Sequence, residues 1–110
     1  MTDKELLELA AKAAGLKIDT SKKDGFMSGS AVLDWDKNIM WNPLFRDGDA
    51  LRLAVTPGMM IDCSTDEGWC DIISCGSAVR VKECYEDSDK FVATRRAIVM
   101  AAAQIGKSMQ

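Results

Sequence analysis

The sequence predicts an α+β fold: a small antiparallel sheet with a three-stranded meander, packed by about three helices in the order αββαβββα. Three observations lead there. Apolar residues recur at helical spacing near both ends of the chain. Between residues 59 and 85, three short apolar-rich runs follow one another, separated by turn residues. The two turns in that stretch independently assign the same side chains to one face, the agreement expected of a buried sheet face.

In chain order, Thr2 and Glu5 form a capping-box pattern at the head of a helix running through Leu6, Leu7, Leu9, Ala10, Ala13 and Ala14, with Gly15 placed to end it. Lys17 to Ser30 is polar, carries the turn signal Asp24-Gly25, and reads as a loop or a short irregular hairpin. Ala31 to Trp35 and Ile39 to Trp41 read as strands joined by Asp36-Lys37-Asn38, and Asn42-Pro43 halts the pairing. A second helix begins near Asp47 and closes at Gly58.

Met59 to Ser64, Trp69 to Cys75 and Ala78 to Tyr85 form the meander. A two-residue turn at Gly76-Ser77 pairs Cys75 with Ala78, Ile72 with Val81 and Asp71 with Lys82. The preceding turn sets Cys63 opposite Cys70 and Ile61 opposite Ile72. Met59, Ile61, Cys63, Cys70, Ile72, Val79 and Val81 then share the inward face. The opposite face carries Asp71, Arg80 and Lys82 together with Trp69, Ile73 and Cys84, a mixture that suits a partly covered surface or an interface. The last helix follows Asp87-Ser88-Asp89, with Phe91, Thr94, Ile98, Ala101, Ala102 and Ile105 at helical spacing and Gly106 as its end. Its many alanines permit close approach to the sheet or to a partner helix.

Composition bounds the function. A chain of 110 residues with 47% hydrophobic and 28% charged residues is expected to form a single domain, 1–110, with a limited core. A net charge of -3 disfavours nonspecific binding to phosphate backbones and falls short of a nucleic-acid mimic. No apolar run approaches the roughly 18 residues of a membrane span, so no membrane partner is expected.

Cys63, Cys70, Cys75 and Cys84 lack the close pairing of zinc knuckles, and the chain has no histidine. The register also splits them between the two faces. A Cys63–Cys70 bridge is geometrically feasible but disfavoured by a reducing cytosol. Without histidine, a serine or cysteine nucleophile lacks its usual base. Asp62, Asp66, Glu67 and Asp71 read as turn and surface carboxylates before they read as a cation site, and Asp47 and Asp49 as helix-capping residues. No catalytic residue, metal or cofactor is therefore assigned. Arg95 and Arg96 lie near a helix start, where the backbone dipole disfavours cations. Their expected partners are Asp87 and Asp89, with a bound anion as the alternative. Trp35, Trp41 and Trp69 read mainly as core, with room for one exposed recognition residue.

Trp41-Asn42-Pro43-Leu44, the run Asp47-Gly48-Asp49-Ala50-Leu51-Arg52-Leu53-Ala54 and the run from Ala93 to Ala103 (A-T-R-R-A-I-V-M-A-A-A) resemble small bacteriophage and prophage accessory proteins of the phage αβα-sandwich type. The resemblance covers Trp41 to Ala54 and Ala93 to Gly106. It implies a compact sheet packed by helices and a place in the host cytoplasm, and it carries over no catalytic or binding residue. The leading functional expectation is a non-enzymatic module that binds a host or phage protein in defence, replication or regulation. Its candidate surfaces are Trp69, Ile73 and Cys84, or the alanine-rich last helix. The alternative is a nucleic-acid accessory protein, which requires Arg80, Lys82, Arg95 and Arg96 to gather on one surface. A metal protein or enzyme stands third, and a homo-oligomer is compatible with all three.

Overall fold

The computed structural model describes residues 1–64, 67–74, 76, 78–84 and 89–109. The expectations that involve Asp66, Cys75, Ser77, Tyr85 and Asp87 lie outside the described residues. Helix α1, Asp3–Ala13, starts as its sequence predicts, because the Thr2 hydroxyl accepts the backbone N–H of Glu5 at 3.2 Å. It ends where Gly15 turns to φ +72°, with the Leu16 N–H donating to the Ala11 carbonyl at 2.9 Å.

The hairpin option for the polar segment is realised at its end. Strand β1, Phe26–Met27, pairs with β2, Ser30–Asp34, across Ser28-Gly29, whose φ values of +53° and +84° suit a tight hairpin turn. β2 pairs in turn with β3, Ile39–Trp41. Asp34 organises the connection by accepting the N–H groups of Asp36 and Lys37 at 3.0 and 3.1 Å.

Asn42 ties the corner that follows. It is buried, and its side chain donates to the Gly29 carbonyl and the Ser30 hydroxyl while accepting the Leu44 N–H at 3.1 Å. Its own N–H donates to Asp49 Oδ2 at 2.9 Å. A buried amide is tolerable here because its polar atoms have partners.

Helix α2, Asp47–Val55, corrects the reading of its acidic residues. The N-cap is Arg46, which makes no side-chain capping bond, and Asp47 and Asp49 stand inside the first turn. They still face the positive end of the helix dipole, but their hydrogen bonds serve Arg95 and Asn42. α2 stops before Thr56-Pro57, and Gly58 takes φ +72° on the way to the next strand.

A second antiparallel sheet follows, with β4, Met60–Ser64, β5, Trp69–Ser74, and β6, Val79–Cys84, in sequential order. The expected pairs Cys63 with Cys70, Ile61 with Ile72, Ile72 with Val81 and Asp71 with Lys82 are all present. The chain is thus α+β, with three helices and two three-stranded sheets among the described residues.

Helix α3, Lys90–Ser108, is capped by Asp89, whose Oδ1 accepts the N–H groups of Phe91 and Val92 at 2.7 and 3.4 Å. It covers the inward face of β5 and β6, burying Cys70, Ile72 and Val81. Ala97, Ala101, Ala102 and Ala103 are all buried, and α3 also packs extensively against α1.

Three expectations change here. Gly106 does not end the helix but lies within it. A Cβ at that position would run into the Leu9 carbonyl oxygen and approach its carbonyl carbon to 2.8 Å, so glycine is required by the contact between α1 and α3. Phe91, assigned to the buried stripe by its spacing, is 60% exposed, because α3 projects beyond α1 at that end. On the inward sheet face, Ile61 and Cys63 remain exposed, since α3 covers β5 and β6 and leaves β4 at the margin.

Candidate functional site

The outward face of the second sheet brings together the residues expected at an interface. Directly paired residues project to the same side, so the pairs Trp69–Cys84, Asp71–Lys82, Ile73–Arg80 and Met60–Ile73 place all of these side chains on one surface. α3 occupies the other side. Trp69 and Ile73 are half-buried, and Cys84 is exposed.

Trp69 is held in place from two directions. Its indole N–H donates to Glu67 Oε2 at 2.7 Å, and the Lys82 ammonium lies 4.7 Å from the ring centroid. Beside it, Asp71 accepts two hydrogen bonds from Arg80 Nε, at 3.2 and 3.1 Å, and one from Nη2 at 2.7 Å. The Asp71 side chain is 6% exposed and that of Arg80 67%. Hydrogen bonding to the guanidinium holds the Asp71 carboxyl below the usual aspartate range against the opposing effect of burial, and the same pairing raises Arg80. The carboxylate is therefore neutralised where it stands, leaving an aromatic and aliphatic rim around a paired charge.

The four candidate cations do not converge. Arg80 and Lys82 stand on the outward sheet face, whereas Arg95 and Arg96 belong to the helix covering the inward face. Arg95 donates through Nε to the Leu44 carbonyl at 2.9 Å and through Nη1 to Asp47 at 2.6 Å. Arg96 lies 3.6 Å from Asp3. Internal pairing is thus the outcome, with different acids from those expected, because Asp89 is committed to the helix cap. Leu44 and Asp47 fall within the two motif segments Trp41–Leu44 and Asp47–Ala54, and Arg95 within the third, so this one side chain links all three.

Among the cysteines, Cys63, Cys70 and Cys84 are free thiols. Burial pushes the Cys70 thiol up, and its sulfur lies 3.8 Å from the Ala93 carbonyl. Cys63 instead opens onto a groove, with its sulfur 3.9 Å from the Thr94 hydroxyl. Among the described residues no three acidic or thiol side chains gather at metal-binding distance. Trp35 donates its indole N–H to the Asp19 carbonyl at 2.8 Å, and Trp41 is buried in the core.

That groove, of about 410 Å³, was not read from the sequence. It runs between α2, β4 and the start of α3, with Leu51, Ile61, Phe91 and Ile98 among its apolar walls. The available signal was Leu51 and Val55, four residues apart on α2 and off the face carrying Ala50, Leu53 and Ala54. A second apolar stripe on a short helix is a surface feature in search of cover.

Neither models of protein families, nor curated proteins, nor solved structures match this chain. Among the described residues no helix is long and apolar enough to cross a membrane.

Proposed function

We propose that the chain is a small accessory protein of bacteriophage or prophage origin that acts without catalysis in the host cytoplasm, binding a host or phage protein in defence, replication or regulation. The origin rests on the motif resemblance at Trp41–Ala54 and Ala93–Gly106. The binding role rests on the outward face of the second sheet, where Trp69 is fixed between Lys82 and Glu67 beside Ile73. An aromatic ring whose position is already set loses little freedom when a partner covers it, the property that makes tryptophan a frequent binding anchor. The alanine-rich helix is the weaker surface, since its alanines are already buried. A nucleic-acid role has less support, with the four cations divided between two sides of the sheet and Arg80, Arg95 and Arg96 each paired to an acid.

Capture from nuclease-treated host lysate tests this reading. The tagged protein is expected to retain a specific protein, and a folded Trp69→Asp variant to retain no more than about a tenth as much. Equal retention by the variant rejects this face, and loss of the partner on nuclease treatment transfers the reading to nucleic acid.

A further inference from the structure

The two edges of the second sheet differ in composition. β6 carries Arg80, Lys82 and Glu83, the kind of charged side chains that keep a free edge from pairing with another chain. β4 reads Met60-Ile61-Asp62-Cys63-Ser64, with one charge, and among the described residues it pairs with β5 alone. Met60 and Ile61 are 58% and 42% exposed. Alongside this edge runs the apolar groove bordered by Leu51 and Phe91, themselves 59% and 60% exposed.

We infer that a second copy of this chain occupies the edge, adding its own β4 antiparallel to the first and joining two three-stranded sheets into one of six strands about a two-fold axis. β4 has the pattern the site requires. Its alternate residues Ile61 and Cys63 face the groove side, so those of the incoming strand fall beneath Leu51 and Phe91. The apolar side chains that such a pairing covers, Leu51, Met60, Ile61 and Phe91, are each between 42% and 60% exposed.

Asp62 selects the register. Pairing centred on Asp62 sets it against its own counterpart, beside Asp71 on the same face, which like charges disfavour. Pairing centred on Ile61 brings the two Ile61 side chains together at the axis and sets Asp62 opposite Met60 of the second copy. The inference does not depend on the binding role proposed above, since that role rests on Trp69 and Ile73 of the central strand β5, whereas this one concerns the edge of β4 and the full chain alone.

Sedimentation velocity on the purified chain tests it. At about 100 µM the wild type is expected near twice 12.0 kDa. Ile61→Lys, which sets two ammonium groups against each other at the axis, weakens the dimer by at least about 30-fold. Met60→Lys meets Asp62 of the second copy and holds affinity within about 3-fold or improves it. A mass of 12.0 kDa from about 1 to 300 µM overturns the proposal, as does a dimer indifferent to Ile61→Lys. Dissociation of Met60→Lys to the same extent as Ile61→Lys overturns the register. If Ile61→Lys does not fold, Ile61→Cys in a Cys63→Ser, Cys84→Ser background takes its place. Mild oxidation then yields a covalent dimer on a non-reducing gel that the same background without Ile61→Cys does not form, and a monomer overturns the proposal.

Discussion

The two halves of α3 are built from similar residues and treated differently by the fold. Toward its C-terminal end, Ala101, Ala102, Ala103, Ile105 and Gly106 are buried, and Gly106 lets the helix backbone rest on Leu9 of α1. Toward its N-terminal end, Ala93, Ala97 and Ile98 are buried but Phe91 and Val92 are exposed, and Arg95 adds a polar long-range tie to Leu44 and Asp47. The contrast is one of position: the first turn of α3 presents large apolar side chains at the surface, whereas Ile98, Val99 and Ile105 further along the same helix are buried. A count of apolar residues along α3 does not separate the halves, because area is buried only where something lies opposite.

Substitutions in each half test the contrast. Gly106→Ala carries the largest expected effect, about 3 kcal/mol of destabilisation in denaturant unfolding, since the new methyl meets backbone that cannot rotate aside. A loss below about 1 kcal/mol would mean that α1 slides freely on α3. Arg95→Ala is expected to cost about 1–2 kcal/mol, because the Leu44 carbonyl and Asp47 both lose a charged donor. Phe91→Ser is expected to stay within about 0.5 kcal/mol of wild type when unfolding is followed at a concentration too low for dimerisation. A larger loss at Phe91 would show that the open half is packed in solution and would erase the distinction.

Much of the fold was legible because its signals are local. Thr2 and Asp89 cap their helices as their positions predict, and the meander register follows from turn length and alternation alone. The inward face was only partly legible. Alternation says that Ile61 and Cys63 share a side with Ile72, but not that α3 is too narrow to cover the third strand. Gly106 was misread for a related reason. Glycine both ends helices and permits contact, and the choice between these rests on Leu9, nearly the whole chain away. At the candidate site, Trp69, Ile73 and Cys84 were placed on one face correctly, while the pairing of Arg80 with Asp71 requires a diagonal reach across strands that spacing does not specify. The partners of Arg95 and Arg96 were missed because they come from α2 and α1 rather than from neighbouring sequence.

The clasp of α1 by α3 also orders events during synthesis. Leu6, Leu7, Ala10 and Ala11 are made early, yet much of their cover arrives with Ala101 to Gly106. At about 5–20 residues per second, roughly 5–20 s separate the two segments. For that interval the first helix is an apolar strip with no lid, at the stage when nascent chains are most open to chaperones. The last turns of α3 close that window, so a chain that stalls before Gly106 leaves the ribosome with its first helix still exposed.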